Sequence, residues 1–577
     1  MTKGPSRKDD PFLPVRFELI STSICALTLV EMIVRYGYHP ALLPWHHMLA
    51  DSLEMLAVSA LLLRLPVRIW TRRFGFGLIP GSLFDLFLSG AALIALFRGH
   101  LTTAALFAVF RLGIVAFRIL PQSQTFQRIF THIQIRPTRV LAISFLLTIL
   151  AGTFLLTLPA ATADGRGAAI LDALFTATSA VCVTGLIVVD TGSYFSRFGQ
   201  VVILGLIQIG AIGIMTLSAS VALLFRRRLG LRTRAVMQNL MEETSAQGLA
   251  GIVRYIVGMT FAIEAIGFVV LFFRWGDIFP DTGERLYYSL FHSISAFCNA
   301  GFSLFANSLA GPPGEDPIVL LTIGGLIILG GIGFTVISGF LNRDLLKKGV
   351  RRTFGRLNSQ SRLILFLTFL LLALGTLFIF FFEFDQSLDT MPAGEKLLTA
   401  FFQSVTARTA GFNRVDMSHM LPATILLTII LMFIGAAPGS TGGGIKITTL
   451  GVLVLSVKAM LQGREDVEIY RRTIPKSTVY RTIAITVISA LVVTVFFLLL
   501  LATQAVPFQS MLFETISAFA NVGLSLGVTP NLNFVGRLLV ILLMYIGRIG
   551  PLTLTLAIGE KLHSADYRYP AARIQIG

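Results

Sequence analysis

Four glycines stand at nearly constant spacing in the second part of this chain. They are Gly185, Gly301, Gly411 and Gly523, and they are separated by 116, 110 and 112 residues. A cation that sheds its water needs replacement oxygens, and rings of backbone carbonyls supply them without fixed negative charge. Glycine reaches positive φ at little cost, which lets the carbonyls of a loop point toward a common axis. The spacing therefore favours selective cation binding in a pore.

A shared pattern surrounds each glycine. The segments LFTATSAVCVTGLIV, LFHSISAFCNAGFSL, AFFQSVTARTAGFNR and LFETISAFANVGLSL align without gaps. Phenylalanine stands ten residues before each glycine, and serine stands six before three of them, with Val405 as the exception. The positions are Phe175, Phe291, Phe401 and Phe513, and Ser179, Ser295 and Ser517. Small residues often serve only to pack helices in membranes, but that role does not require one pattern four times.

The loops carry no acidic ring. Asp and Glu are absent from CVTGL, CNAGF, RTAGF and ANVGL, which argues against a Ca2+ filter. The C-terminal end of a short helix before each loop would place partial negative charge toward a cation. The predicted ion-selectivity residues are Val183, Thr184, Gly185, Asn299, Ala300, Gly301, Thr409, Ala410, Gly411, Asn521, Val522 and Gly523.

A glycine-rich break interrupts the long apolar run Leu421–Met460. Its sequence, GAAPGSTGGGIK, cannot hold a stable helix because glycine and proline are poor helix formers. A flexible segment there would block or admit ions, whereas an ordinary glycine kink would only bend the helix. A phosphate-binding loop is excluded because Lys446 does not directly follow a glycine. The predicted gating-loop residues are Gly435, Ala436, Ala437, Pro438, Gly439, Ser440, Thr441, Gly442, Gly443, Gly444 and Lys446.

Apolar spans must hold these loops in place. A transmembrane helix takes about 20 predominantly apolar residues, and the chain has twelve such candidates. Each loop lies between two of the last eight, on a stretch too short to cross a bilayer, so we expect it to be re-entrant. The predicted fold is all-α and integral to the membrane. It repeats span, pore helix, filter loop and span at about 139–236, 250–345, 362–462 and 478–577.

About four further spans precede these repeats. Arg98, Arg111, Arg118 and Arg128 lie on or beside the fourth of them, but they lack the regular spacing by which a voltage sensor moves gating charge. We therefore predict an accessory four-helix transmembrane region at 1–138 and a pore domain at 139–577.

Composition and charge also indicate a multi-pass membrane protein. Apolar residues make up 54% of the chain and charged residues 13%, against about 25% charged in a soluble domain. The net charge of +17 lies in short blocks beside the apolar runs, so we reject nucleic-acid binding and place both termini in the cytoplasm. No HExxH motif or pair of intramembrane aspartates indicates an enzyme, and the three cysteines form no CxxC pair.

The four glycine loops resemble those of the Trk/Ktr/HKT superfamily of K+ transporters over about residues 139–577. The broken run is similar to that family's intramembrane gating loop, and Arg548 in MYIGRIGPLT stands where the family places a basic residue facing the pore. The final residues, DYRYPAARIQIG, are similar to the C-terminus of the Ktr-type, KtrB-like membrane subunit. A charge inside a span costs at least about 2.5 kcal/mol. Arg548 is thus expected to form a barrier in the pore, with snorkelling to an interface or pairing with a carbonyl as the alternative.

The resemblance implies channel-like K+ uptake across a bacterial inner membrane, with Na+ as a second candidate ion. It also implies a homodimer controlled by a cytoplasmic nucleotide-binding ring of the RCK type, similar to KtrA or TrkA. Nucleotide would then act only through that partner, because this chain has no GxGxxG unit in a soluble βαβ fold.

Two other transport functions stay open. A Trk-type symporter would couple K+ to Na+ or H+ through the same loops. A secondary transporter of another cation would bind at broken helices, yet four matching loops do not fit inverted repeats. Four ionisable residues in or near the predicted pore are expected to make structural hydrogen bonds or ion pairs: Glu264, His292, Arg408 and Glu514.

Overall fold

Backbone hydrogen bonding explains why so apolar a chain is helical. A peptide group in hydrocarbon has no water to bond, and an α-helix satisfies each group within its own segment. The computed structural model describes residues 21, 23–32, 44–71, 80–98, isolated positions between 101 and 108, 137–226, 246–340 and 357–550. Within these ranges the regular structure is helical, apart from one two-stranded hairpin.

The chain divides into two compact units. The first comprises Met1–Ile135 with Leu158–Gly167, and the second comprises Arg136–Thr157 with Ala168–Gly577. In the first unit, α1 spans Pro44–Thr71 and α2 spans Pro80–Phe97. Its buried core is rich in alanine, which lets membrane helices approach closely. Core members are Cys25, Met32, Ala57, Val58, Leu61, Ala92, Ala95, Ala104, Ala105 and Ala108. Three arginines considered above as sensor charges, Arg111, Arg118 and Arg128, lie outside the described residues.

The second unit contains thirteen of the longer described helices. They are α3 (Pro137–Leu156), α4 (Ile170–Val181), α5 (Arg197–Arg226), α6 (Ala246–Arg274), α7 (Thr282–Cys298), α8 (Pro317–Ile332), α9 (Ser359–Glu383), α10 (Ala393–Thr406), α11 (Pro422–Phe433), α12 (Ile447–Leu461), α13 (Lys476–Thr503), α14 (Phe508–Ala520) and α15 (Phe534–Ile549).

Four stretches within these helices are long and apolar enough to cross a membrane. They are Arg197–Thr216, Val253–Arg274, Ser359–Glu383 and Lys476–Thr503. The described residues also include shorter apolar helical stretches, among them Ala142–Leu156, Pro317–Ile332 and Pro422–Phe433. Gly333, with φ of 85°, ends α8.

Short-range chemistry sets the ends of several helices. Proline at the first helical position begins α8 and α11, where its missing N–H costs nothing. The Asp316 carboxylate caps α8 by accepting from the Ile318 amide at 2.8 Å, and the Asn533 side chain caps α15 by accepting from the Gly536 amide at 2.8 Å.

A small hairpin follows α12. Strand β1 (Val467–Ile469) pairs antiparallel with β2 (Arg472–Ile474), with Val467 opposite Ile474. Tyr470 and Arg471 form the turn, and both have positive φ, 47° and 63°. This is the turn geometry whose twist matches that of two adjacent strands.

The main core of the second unit surrounds the short helices α4, α7, α10 and α14. Phe175, Phe291, Phe402 and Phe513 are each fully buried in it. The sequence pattern aligns Phe401 with the other three, but that ring is only partly buried. Helix α10 also differs in length: it ends at Thr406, five residues before its glycine and earlier than in the other three repeats.

Candidate functional site

Four loops follow the short helices, and all have the same unusual backbone. In each loop the residue two before the glycine is left-handed: Val183 has φ of 56°, Asn299 59°, Thr409 74° and Asn521 53°. The glycines follow with φ of 90°, 69°, 81° and 91° in chain order. A β-branched residue such as valine seldom adopts positive φ, and such strain persists only where surrounding structure imposes it. The loops are therefore held in a defined shape.

The four glycines form a closed ring in which each lies in contact with the backbone of the next loop. A Cβ added to Gly185 would lie 2.5 Å from the Ala300 carbonyl oxygen, one on Gly301 2.8 Å from that of Ala410, and one on Gly411 2.6 Å from that of Val522. A Cβ on Gly523 would clash with the Thr184 carbonyl oxygen and so close the ring. Only glycine fits at each place without displacement of the next loop. The twelve residues predicted to select the ion are thus brought together around one centre.

Serine hydroxyls accept hydrogen bonds from two of the glycine amides. The Gly185 amide donates to Ser179 Oγ at 3.1 Å, and the Gly523 amide donates to Ser517 Oγ at 3.1 Å. In the second loop Ser295 Oγ instead donates to the Phe302 carbonyl at 2.7 Å. The third loop has Val405 at this position and cannot make the bond.

Asn521 joins the fourth loop to the first. Its Nδ2 donates to Thr184 Oγ1 at 2.8 Å and to the Met544 carbonyl at 3.0 Å. The sequence pattern marks Asn521 as a loop residue but carries no sign of this contact, because the partner lies 337 residues away.

The chemistry available in the ring is that of neutral oxygen donors. Among the residues that the structure describes, no three His, Cys, Asp or Glu side chains cluster as a metal site would require. Carbonyl oxygens and the C-terminal ends of α4, α7, α10 and α14 supply partial negative charge at the loops, and the buried Glu264 carboxylate lies 3.7 Å from Cys298 Sγ at the start of the second loop. Such a donor set suits a weakly held monovalent cation better than a divalent ion, which takes carboxylate ligands.

The predicted gating loop lies between α11 and α12 and packs directly against the ring. A Cβ on Gly443 would lie 2.5 Å from Asn521 Oδ1 and 2.6 Å from the Ala520 carbonyl oxygen, and one on Gly442 would clash with Thr409 Oγ1. Thr441 Oγ1 donates to the Phe297 carbonyl at 3.4 Å. The segment is therefore in contact with the second, third and fourth loops.

Backbone bonds give this segment a defined course. Ile434 and Ile445 form a parallel bridge, and the Gly435 amide donates to the Ile445 carbonyl at 2.8 Å. The Ala437 amide donates to the Gly331 carbonyl at 2.9 Å, which fastens the segment to the end of α8. The same segment contains the remaining predicted members except Lys446: Ala436, Pro438, Gly439, Ser440 and Gly444.

Two basic side chains, Arg548 and Lys446, contact the gating segment. Arg548 is 3% exposed; its guanidinium donates to the Thr441 carbonyl and, at 3.2 Å, to the Gly210 carbonyl. Lys446 Nζ donates to the Gly442 carbonyl at 2.7 Å. Helix α15 ends at Ile549, so Arg548 lies in its last turn.

Two buried residues, Glu514 and His292, tether the chain just beyond the ring, and both make the structural hydrogen bonds that the sequence analysis expects of them. Glu514 accepts hydrogen bonds from Ser525 Oγ and, at 2.8 Å, from Thr529 Oγ1. His292 Nε2 lies 3.1 Å from Ser303 Oγ. Glu514 and His292 each stand nine residues before the glycine of their loop, and each makes a hydrogen bond to the serine two residues after that glycine. That common offset is the signal that could have identified them.

The chain matches known proteins over most of its length. The family model TrkH, described as a cation transport protein, matches residues 108–568. The chain is 40% identical to the Ktr system potassium uptake protein B of Bacillus subtilis, over 78% of this chain and 99% of that protein. It is 42% identical to the protein of the same name from Vibrio alginolyticus, over 72% and 90%.

A solved structure has the same fold. The crystal structure of the potassium transporter TrkH from Vibrio parahaemolyticus superposes with a TM-score of 0.62, covering 83% of this chain and 96% of that one at 18% identity. Both the family match and the relatives cover far more than half of the sequence. This chain is similar to the Ktr system potassium uptake proteins and therefore belongs to the TrkH family of cation transport proteins.

Proposed function

We propose that this protein takes up K+ across a membrane through the ring of four glycine loops. The observation that carries the proposal is the closed contact of the four glycines, each against the carbonyl of the next loop. Carbonyl rings replace the hydration shell of K+ and bind it weakly enough to let it leave. Relatives named as potassium uptake proteins support the choice of ion.

The proposed pore domain is a four-fold arrangement of span, short helix, loop and span over 139–577. The order α3–α4–α5, α6–α7–α8, α9–α10–α11 and α13–α14–α15 supports this arrangement. The proposed accessory region is 1–138. Uptake measured after deletion of that region tests whether the pore domain conducts by itself.

Flow through this pore is proposed to stop at the gating segment and Arg548. Gly442 and Gly443 fill the space below the ring, and the guanidinium of Arg548 holds the Thr441 carbonyl from the inner side. A positive charge on the path raises the barrier for a cation. Movement of the segment away from Asn521 would open the path, and the glycines give it the freedom to move.

Regulation is proposed to come from a separate nucleotide-binding ring of the RCK type, docked on the basic inner connections of a homodimer. Lys458, Arg464 and Arg471 lie on one such connection, around the hairpin after α12. Both termini would then be cytoplasmic, and the membrane a bacterial inner membrane. Na+ is a proposed second ion, either as a coupled ion or as a stimulator.

The decisive experiment measures K+ and Na+ flux into proteoliposomes that contain the purified full-length protein. K+ uptake that exceeds Na+ uptake, and that collapses with the imposed K+ gradient, supports channel-like conduction. Uptake that requires an inward Na+ or H+ gradient would instead favour the symporter. Equal flux of the two ions would refute K+ selectivity.

A further inference from the structure

Glu264 places a carboxyl group near the middle of the apolar stretch Val253–Arg274, which is long enough to cross a membrane. The side chain is 3% exposed, and no basic side chain that the structure describes lies within 4.0 Å of its oxygens. An ionisable group at this depth is costly, and such residues face the protein interior and commonly mark the path of an ion. The position of Glu264 therefore points to a role beyond packing.

Two side chains from neighbouring helices contact this carboxyl group. Gln208 of α5 donates from Nε2 to both of its oxygens, at 3.1 and 3.2 Å. Cys298, the last residue of α7, places Sγ 3.7 Å from Oε1 of Glu264 and 3.4 Å from Oε1 of Gln208. These three residues form the Glu264 cluster, which joins α5, α6 and α7 at one point.

The backbone beside the Glu264 cluster is closely packed. Ser293 Oγ of α7 donates to the Glu264 carbonyl at 2.6 Å. Further along α6, a Cβ on Gly267 would lie 2.6 Å from Ser293 Oγ and 2.5 Å from Leu326 Cδ1 of α8. This close approach of α6 to α7 keeps the Glu264 carboxyl group beside Cys298.

The Glu264 cluster is connected to the glycine ring through Cys298. This residue ends α7, directly precedes the left-handed Asn299 of the second loop, and stands three residues before Gly301. The Ala300 carbonyl oxygen lies against Gly185 of the first loop, where an added Cβ would be 2.5 Å away. A shift of Cys298 would therefore displace a carbonyl that belongs to the ring.

The second loop lacks a contact that the first and fourth loops have. In those two loops a serine hydroxyl accepts from the glycine amide, whereas the Ser295 hydroxyl donates to the Phe302 carbonyl at 2.7 Å. The Glu264 cluster instead holds the second loop at its start. A buried, hydrogen-bonded network makes the structure around it more rigid.

We propose that Glu264 is a positioning residue for K+ selection. With Gln208 it holds Cys298, and so keeps the carbonyls of the second loop at the separation that favours K+ over Na+. In this role Glu264 acts on the ion only through Cys298. The inference rests on the proposed uptake of K+ through the ring.

Competitive K+ and Na+ uptake into proteoliposomes tests this role in Glu264→Gln, which keeps the shape of the side chain but replaces one acceptor oxygen by a donor. The K+/Na+ flux ratio should fall about 3- to 10-fold, in the lower part of the range for residues in contact. The fall should come from a higher KM for K+, with the KM for Na+ within twofold of wild type, because only the fit to K+ is lost.

Glu383→Gln is the matched control. Glu383 is also fully buried in a stretch long enough to cross a membrane, but its carboxylate accepts from the Leu421 amide at 2.9 Å and not from a residue of the ring loops. This variant should lower the melting temperature in detergent and leave the K+/Na+ ratio within twofold of wild type. A loss of stability by itself would therefore not reproduce the effect of Glu264→Gln.

Double substitutions separate positioning from general damage. Cys298→Ala removes the group on which Glu264 acts, so Glu264→Gln should change the K+/Na+ ratio no further in that background. Ser517→Ala disturbs the fourth loop through a different contact. The effects of Glu264→Gln and Ser517→Ala should therefore multiply.

Two results would each overturn the proposal. One is a K+/Na+ ratio in Glu264→Gln within twofold of wild type, and the other is a fall that is equally large in the Cys298→Ala background. If Glu264→Gln does not fold, Gln208→Leu carries the same predictions, because it removes the amide that bridges Glu264 and Cys298. Equal K+ and Na+ flux in the wild type would instead refute the proposed function, so the two failures are distinguishable.

Discussion

Replacing Gly411 by serine should damage ion discrimination more than it damages folding. At φ of 81° an L-residue is strained by about 1 to 2 kcal/mol. The new Cβ would stand 2.6 Å from the Val522 carbonyl oxygen, 3.1 Å from Gly301 Cα and 3.2 Å from Gly523 Cα. Ordinary contact begins at 3.4 Å, so the Val522 oxygen must retreat by roughly 0.8 Å.

The size of the effect follows from the contact that is lost. An interaction between a charged group and one polar oxygen contributes about 1.5 to 3 kcal/mol. If about 1 to 2 kcal/mol of that distinguishes K+ from Na+, the ratio of the two fluxes should fall by about 5- to 30-fold.

The assay is competitive K+ and Na+ uptake in proteoliposomes, with protein quantity and thermal stability measured alongside. Gly205→Ser is the matched control, because a Cβ on that helical glycine meets nothing within 4 Å. A K+/Na+ ratio in Gly411→Ser within twofold of wild type, with normal folding, would refute the assignment of selectivity to the ring.

Three further substitutions test the gating segment, the barrier and the tether beyond the ring. Gly443→Ala puts a methyl group 2.5 Å from Asn521 Oδ1 and should displace the gating segment from the ring, so K+ flux should rise several-fold. An unchanged K+ flux would contradict the proposal that this segment closes the path. Arg548→Gln removes the charge that binds the Thr441 carbonyl and should also raise K+ flux, with a larger rise at low salt, where screening is weak. A lower K+ flux would show that Arg548 has only a structural role. Glu514→Gln weakens hydrogen bonds to a charged acceptor, by about 1.5 to 3 kcal/mol each, and should lower the melting temperature in detergent by several degrees. An unchanged melting temperature would show that Glu514 does not tether the chain beyond the ring.

The sequence predicted those parts of the site that depend on local backbone chemistry. Glycines with positive φ and a run of glycine and proline leave a visible pattern, so the four loops and the break between α11 and α12 could be located. Burial of Phe402 in place of Phe401 could not be foreseen, because it depends on which face of α10 packs against the neighbouring helices.

Contacts between distant segments had no sequence signal. The bond from Asn521 to Thr184 and the order of glycines around the ring depend on how the loops assemble. The roles proposed for selectivity, gating and the RCK-type partner stay predictions until flux is measured.

The ring of glycines has a consequence for how this protein can evolve. In a homotetramer one codon specifies all four positions, so a single mutation alters every contact together. Here four separate codons specify them, and each glycine rests on a different neighbour. One substitution disturbs one carbonyl and leaves three contacts in place. Ion preference in such a chain can therefore drift by single steps, each exposed to natural selection by itself.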